Sequence, residues 1–274
     1  MQCLNPIFLK NKGSRLRYAY YVPCGKCAAC LLNRRREWIS RLKLEREFSI
    51  SCYCFTLSYS PEFLPTDDKG NPCFDKEQIQ KFIKRLRHFS STPFKYFIAA
   101  EYGTNFTTRS HYHGIIFNFS GDFFDVINNN LSLWPYGFVD LDCNVGCDAI
   151  TYISSYVLAA TDMFNDRQKP FTLSSKGLGL SYLDNKALID YHRKTFDPLI
   201  RFHDGTSMYM PRYLRDKIFN TDDLKIKFYH RVRSYQSRNG HFFKDLNDEK
   251  ERSLKANLVI DKFNKIKKFG KHFD

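Results

Sequence analysis

The stretch RSHYHGIIF, residues 109–117, carries His111 and His113 just before Ile115 and Phe117, with Tyr112 between the two histidines. It reads as a strand, and side chains alternate across a strand, so residues two apart project together. His111 and His113 therefore share one face, while Tyr112 points the other way, into the core. Two imidazoles side by side either fill the edge of a core or hold a metal ion, and the surrounding sequence has to decide between these.

Working outward, FKYFIAAE (94–101) reads as a second strand, joined to the first by the polar stretch YGTNFTTRS. Neighbouring strands with so short a connection are expected to pair antiparallel. A hairpin closing over residues 102–110 sets Glu101 beside His111. Two imidazoles and a carboxylate make an open site for a divalent cation, with positions left for water or phosphate.

CYCFTLSY (52–59), closed by the turn-like SPEFLP, and YGFVDL (136–141) add two more strands. Asp75 opens a helix with Gln78 three residues on, the pattern of a capping box, and Ile79, Phe82, Ile83 and Leu86 recur at helical spacing. A helix from about Leu31 to Phe48 has Leu31, Trp38, Ile39 and Leu42 at apolar positions and Arg34, Arg35, Arg36, Arg41 and Lys43 on its other faces. Further helices are expected from Asp148 to about Met163, burying Ile150, Ile153 and Val157, and over roughly 184–195. Strands and helices alternate irregularly with short connections, which predicts an α+β fold on a central antiparallel sheet flanked by helices. The chain divides into a basic N-terminal segment with a cysteine cluster (1–50), a core (51–220), and a basic, partly helical appendage without a core of its own (221–274).

Forty-three Lys and Arg against 29 Asp and Glu give the 274 residues a net charge of +14, which favours a polyanionic partner. The 26 Phe and 17 Tyr suit stacking on unpaired bases, although aromatics in a β-rich core are the plainer reading. Arg34, Arg35 and Arg36, with Arg109 beside the histidines, are candidate grips on a DNA backbone, against a merely solvated helix face. No apolar run is long enough to span a bilayer, and the N-terminus does not read as a secretory signal. The nine cysteines are therefore expected as reduced thiols in a cytosolic setting.

TYISSYVLAA places Tyr152 and Tyr156 four apart in a helical pattern, where such residues meet on one face. The stripe of Ile150, Ile153 and Val157 is expected to pack inward and leave the hydroxyls facing out. Tyr209 and Tyr213 have the same spacing, but Pro211 between them disfavours a shared helical face. A tyrosine hydroxyl is a poor nucleophile at neutral pH. Attack on phosphorus needs a polarised phosphate, and a metal held by Glu101, His111 and His113 supplies that.

FTLSYS, then HYHGIIF, then a helix with paired tyrosines, in that order, resembles the HUH endonuclease superfamily. More closely, the chain is similar to the replication initiators of small single-stranded DNA bacteriophages, the Microviridae and especially their gokushovirus branch. PCGKCAACLLNRRREWISRLKLE, AAEYG with SHYHGIIF, YISSYV, FTLSSKGLGLSYL and MYMPRYLRDKI carry that resemblance over roughly residues 20–218. It implies an RRM-like HUH fold and rolling-circle initiation in the cytoplasm of a bacterial host. Tyr152 and Tyr156 would be nucleophiles, Glu101, His111 and His113 ligands of Mg²⁺ or Mn²⁺, and single-stranded or unwound origin DNA the substrate. Nicking would leave a 5′-phosphotyrosine and a free 3′-OH, with host helicase and polymerase as partners, and rejoining would release the replicated strand. Relatives carry lysine shortly after the second tyrosine, where this chain has Ala159 and Ala160; Lys169 and Lys176 are the candidate substitutes. A noncatalytic single-strand-binding module and a relaxase or transposase are the competing classes.

Cys24, Cys27 and Cys30 form C-x2-C-x2-C, which can share one structural Zn²⁺ if a fourth ligand is supplied. Cys52 or Cys54 is the expected donor. Small buried thiols at a helix start are the alternative.

Overall fold

The computed structural model describes residues 3–9, 20–103, 108–142, 147–156, 167–238 and 249–269. Its centre is the strand that carries the histidine pair, β5 (Ser110–Phe117). β5 lies in the middle of a five-stranded antiparallel sheet of order β6-β3-β5-β4-β7. The other members are β3 (Cys52–Tyr59), β4 (Lys95–Tyr102), β6 (Gly137–Asp142) and β7 (Thr172–Ser174). The expected hairpin forms: β4 and β5 pair with Glu101 opposite His111 and Ala99 opposite His113. On the other side of β5, Thr56 lies opposite His113 and Ser58 opposite His111. The fold is α+β, as the alternation of elements predicts.

Period-two alternation gives the sheet two unlike faces. Tyr112, Ile116, Phe55, Leu57, Ile98 and Ala100 share one face and pack against the helix α2 (Lys76–Leu86) through Ile79, Phe82, Ile83 and Leu86. Each such buried side chain contributes about 1.5–3 kcal/mol relative to exposure. Gly114 belongs to this face as well, and a Cβ there would overlap the Phe55 ring. The Asp75 cap is present, its carboxylate accepting from the backbone N–H groups of Glu77 and Gln78 at 2.8 and 3.1 Å. Gln78 does not complete a capping box. Its Oε1 accepts instead from the Tyr59 hydroxyl, which lies 3.0 Å from the Tyr112 hydroxyl. Tyr112 in turn accepts from the Asp75 N–H at 3.0 Å, so the residue between the two histidines ties β5 to the start of α2.

The opposite face divides along its length. At one end Phe97, Ile115, Phe117 and Cys54 pack under Ile39 and Leu42 of α1 (Ala28–Glu47) and under Ile150 and Ile153 of α4 (Cys147–Ile153). At the other end stand Glu101, His111, His113, Thr56 and Ser58. Helix α1 is long enough to serve several clusters. Its Leu44 joins a third group with Ile200, Leu214 and Phe228, and its Leu31 and Leu32 meet Val259, Phe263 and Ile266. Buried Glu45 ties α1 to the sheet, accepting from Lys95 Nζ at 2.9 Å and from the Gly179 N–H at 2.7 Å.

The remaining helices are α3 (Phe123–Asn129), α5 (Lys186–Thr195), α6 (Arg212–Ile218), α7 (Asp222–Arg238) and α8 (Glu249–Phe269). Two short antiparallel pairs complete the fold: β1 (Ile7–Leu9) with β2 (Tyr20–Val22), and β8 (Leu199–Arg201) with β9 (Ser207–Tyr209). Among the described residues no helix is long and apolar enough to cross a membrane.

Candidate metal and tyrosine site

Strand register alone brings three ligand types together. Donor atoms of Glu101, His111 and His113 all lie within 4.8 Å of one another. Glu101 Oε2 sits 3.6 Å from the Nε2 of each imidazole. That exceeds hydrogen-bond range, and this buried oxygen accepts no hydrogen bond among the described residues. The far nitrogens are held from behind. His111 Nδ1 lies 3.3 Å from the Arg109 carbonyl, and His113 Nδ1 lies 3.1 Å from Thr56 Oγ1. A carbonyl can only accept, so His111 Nδ1 carries the proton and a neutral ring presents the Nε2 lone pair to the carboxylate. Electron-rich atoms facing each other at this distance call for a cation between them. Outer hydrogen bonds of this kind orient metal-binding histidines, so the residues present fit a bound divalent ion.

Burial works to raise the pKa of Glu101, but His111 and His113 beside it outweigh that and hold it below the ordinary carboxylate value. The group is thus kept as a carboxylate in a site where Glu101 and His113 are buried and His111 is half-buried. Ala99, opposite His113, adds no bulk to this end of the sheet.

The tyrosines lie against the same imidazole. The Tyr156 ring stacks on His113 with centroids 4.4 Å apart and planes 6° from parallel. Tyr152 meets His113 edge-on at 5.9 Å and Tyr156 at 5.0 Å. One expectation is corrected: the hydroxyls do not both face outward. Tyr156 is 3% exposed and packs with Ile150 and Ile153, while Tyr152 is half-buried. The expected continuous helix is also interrupted, since α4 ends at Ile153. Ser154 Oγ donates to the Thr151 carbonyl and Ser155 Oγ to the Tyr152 carbonyl, and the chain tightens to an i→i−3 bond from Ser155 N–H to Tyr152. Serine hydroxyls that capture backbone carbonyls compete with the α-helical ladder. The turn that follows delivers Tyr156 onto the imidazole. Val157, Ala159 and Ala160 lie outside the described residues.

Of the two substitute cations, strand direction separates one from the other. β7 runs antiparallel to β4 with Thr172 opposite Ala99. The residues before Thr172 therefore run toward Glu101 and those after Ser174 run away. Lys169 is exposed at the Glu101 end of the sheet, and Lys176 is exposed at the far end.

Arg34 and Arg36 are exposed on α1. Arg35 is half-buried and donates to the Thr151 carbonyl of the tyrosine segment at 2.8 Å. Arg109 donates to the Tyr59 carbonyl at 2.6 Å. Cys24, Cys27 and Cys30 do gather, but the nearby fourth thiol is Cys3. Cys52 and Cys54 lie on β3 within the sheet and do not join them. Sequence reasoning missed Cys3 and Thr56. The alternation of FTLSY, which puts Thr56 and Ser58 on the histidine face, could have flagged Thr56; an isolated cysteine near the start gave no periodic signal.

A family model described as the replication-associated protein ORF2 matches residues 52–161. The chain is 25% identical over 250 residues to the replication-associated protein VP4 of Bdellovibrio phage phiMH2K, covering 79% of this chain and 76% of that protein. It is 34% identical over 144 residues to replication-associated protein ORF2 of Spiroplasma virus 4, covering 43% of this chain and 45% of that one. With replication-associated protein ORF4 of Chlamydia phage 1 the identity is 24% over 229 residues, 73% of this chain and 54% of the relative. The chain thus spans about half the length of the last two. No solved structure matches it. The family match spans Glu101, His111, His113, Tyr152 and Tyr156 together, and with the phage relatives it bears out the resemblance read from the motifs, that to replication initiators of the Microviridae type.

Proposed function

We propose that the chain initiates rolling-circle replication by nicking single-stranded or unwound origin DNA through a tyrosine. The observation that carries this reading is the convergence, on one sheet face, of a carboxylate, two imidazoles and two tyrosine rings stacked around His113. In the reaction a phenolic oxygen attacks the scissile phosphorus and gives up its proton. The bond from phosphorus to the 3′ oxygen breaks, the 5′ phosphate remains esterified to the tyrosine, and the departing oxygen takes a proton to become a 3′-OH for a host polymerase. Mg²⁺ or Mn²⁺ held by Glu101, His111 and His113 would polarise and orient the phosphate.

Tyr152, the more exposed ring, takes the first cleavage. Tyr156 has to turn off the His113 face before it reacts, which suits it to the later exchange that rejoins the released strand. Arg34 and Arg36 on α1, Arg35 and Arg109 line the approach for the DNA backbone, and Lys169 supplies a cation at the Glu101 end of the sheet. The activity belongs in the host bacterial cytoplasm, alongside a host helicase.

The test uses Tyr152→Phe, Tyr156→Phe and the double variant on single-stranded origin DNA with Mn²⁺, scoring covalent adduct on a denaturing gel. Tyr152→Phe is expected to lose most of the first-turnover adduct, Tyr156→Phe to keep it but lose rejoining, and the double variant to lose both. Adduct formation by the double variant would end the nucleophile assignment. Wild-type protein that binds the strand and never forms an adduct would make it a noncatalytic single-strand-binding module.

A further inference from the structure

The second cluster of metal-capable side chains lies apart from the sheet, where the β1–β2 pair meets the start of α1. Cys3 precedes β1 and Cys24 follows β2, and the pairing of Ile7 with Val22 closes the base of the hairpin between them. Gly25, at φ +75°, turns the chain so that Cys27 stands at the N-cap of α1, and Cys30 follows in its first turn. An L side chain rarely takes that conformation, so the glycine is what permits the C-x2-C turn here.

The sulfur spacing distinguishes between the possible uses of these thiols. Cys3 Sγ lies 3.7 Å from Cys27 Sγ, and Cys24 Sγ lies 4.0 Å from Cys30 Sγ. All four sulfurs fall within 4.8 Å of one another. Four thiolates around one Zn²⁺ at about 2.3 Å have sulfurs about 3.8 Å apart along the tetrahedron's edges. A disulfide needs about 2.05 Å. The four residues therefore gather as a set at nearly the spacing of a tetrahedral metal site, rather than as two bonded pairs.

A second observation is independent of that spacing. Backbone N–H groups point at three of the sulfurs: Leu4 N–H to Cys27 Sγ at 3.4 Å, Cys24 N–H to Cys3 Sγ at 3.2 Å, and Cys27 N–H to Cys24 Sγ at 3.3 Å. Donors aimed at sulfur stabilise thiolates, and four thiolates around one divalent ion leave a net charge of about −2 that needs such donors. Thiolate softness selects Zn²⁺ over Mg²⁺ or Mn²⁺, the reverse of the preference expected of a carboxylate.

We infer that Cys3, Cys24, Cys27 and Cys30 bind one structural Zn²⁺, which clamps the β1–β2 pair to the first turn of α1. All four positions are filled by protein, so the ion is structural rather than catalytic. The clamp fixes one end of the helix whose Arg35 holds the Thr151 carbonyl and whose Ile39 and Leu42 support Ile150, Ile153 and Tyr156. It also fixes the turn whose Leu31 and Leu32 receive α8.

The test is made on the full chain, purified under reducing conditions and dialysed without chelator. Metal content is measured by mass spectrometry, and Zn²⁺ is followed with a chromogenic indicator as a mercurial titrates the thiols. One Zn²⁺ per chain is expected, released by the mercurial and retained in His111→Ala/His113→Ala. The Co²⁺-substituted wild type should show sulfur-to-metal charge transfer and the intense visible bands of tetrahedral coordination, and Cys3→Ser should shift both. Zinc that vanishes with the histidine variant, a Co²⁺ spectrum unchanged by Cys3→Ser, or cysteines found as disulfides in the reduced preparation would each overturn the assignment. The wild-type release and spectrum do not depend on any variant folding.

Discussion

His113 and His192 are both buried, at 7% and 1% exposure, yet they stand in opposite chemical situations. His192 closes its hydrogen bonds inside the fold: Nε2 lies 2.7 Å from the Tyr182 hydroxyl and Nδ1 lies 3.0 Å from the Asp197 carbonyl. A neutral ring satisfies both contacts, donating to the carbonyl and accepting from the phenol. His113 has Thr56 behind it, a carboxylate 3.6 Å in front of Nε2 and a tyrosine ring on its face. Burial therefore does not mark a functional histidine. What the second nitrogen faces does, and a carboxylate shared with another imidazole is an arrangement that a cation completes.

The largest expected effect comes from taking away that carboxylate. Glu101→Gln keeps the shape and removes the charge. Origin nicking should fall by roughly 10³-fold or more, the scale of several kcal/mol of lost charge stabilisation. Thermal stability should hold or rise, because a buried charge is removed with it. His192→Gln should do the reverse, unfolding more easily while the folded fraction nicks at the wild-type rate. A Glu101→Gln protein that nicks normally would erase the distinction between the two regions.

Metal titration sharpens the same contrast without relying on turnover. Mn²⁺ at about 100 times its Kd should stabilise the folded wild type by about 2.7 kcal/mol, read as a rise in Tm. His192→Gln should keep that increment and Glu101→Gln should lose it. An equal rise in both variants would place the ion elsewhere.

A smaller effect is expected at the closed histidine. Tyr182→Phe deletes the hydroxyl that faces His192 Nε2 and leaves a buried acceptor unpaired, which costs about 1–3 kcal/mol. Urea unfolding should show a lower midpoint with an unchanged slope, and nicking by folded protein should not move. An unchanged midpoint would mean that the hydroxyl contributes nothing to the fold.

These contrasts were unequally legible in the sequence. The metal-ligand face followed from strand parity and a short hairpin, because a period of two and an antiparallel register are local consequences of residue order. The helix over 76–86 followed in the same way from Ile79, Phe82, Ile83 and Leu86. Cys3 was not legible as a ligand, since only the β1–β2 pairing brings it to Cys24, and such pairing is set by tertiary contact. The break after Ile153 depends on Ser154 and Ser155 turning their hydroxyls onto carbonyls, a choice that a helical pattern does not encode. His192 gave no signal at all: its partners, Tyr182 and Asp197, meet it only when the chain before α5 and the turn after it fold back.

The smallest effect is in pH, and its sign follows from the closed network. Burial lowers the His192 pKa below the ordinary histidine value, and the Asp197 carbonyl only partly offsets this. The unfolded chain therefore binds the proton more readily than the folded one. Stability from the neutral ring is fully present above the unfolded-state pKa of about 6.5 and is lost as pH falls through the depressed folded-state value. Protonation would also put a hydrogen on Nε2, so the Tyr182 hydroxyl would have to turn from donor to acceptor. The difference in unfolding free energy between wild type and His192→Gln, which does not titrate there, should thus shrink as pH is lowered from about 8 to 5. A difference that stays flat or grows across that window would show that His192 is not held neutral.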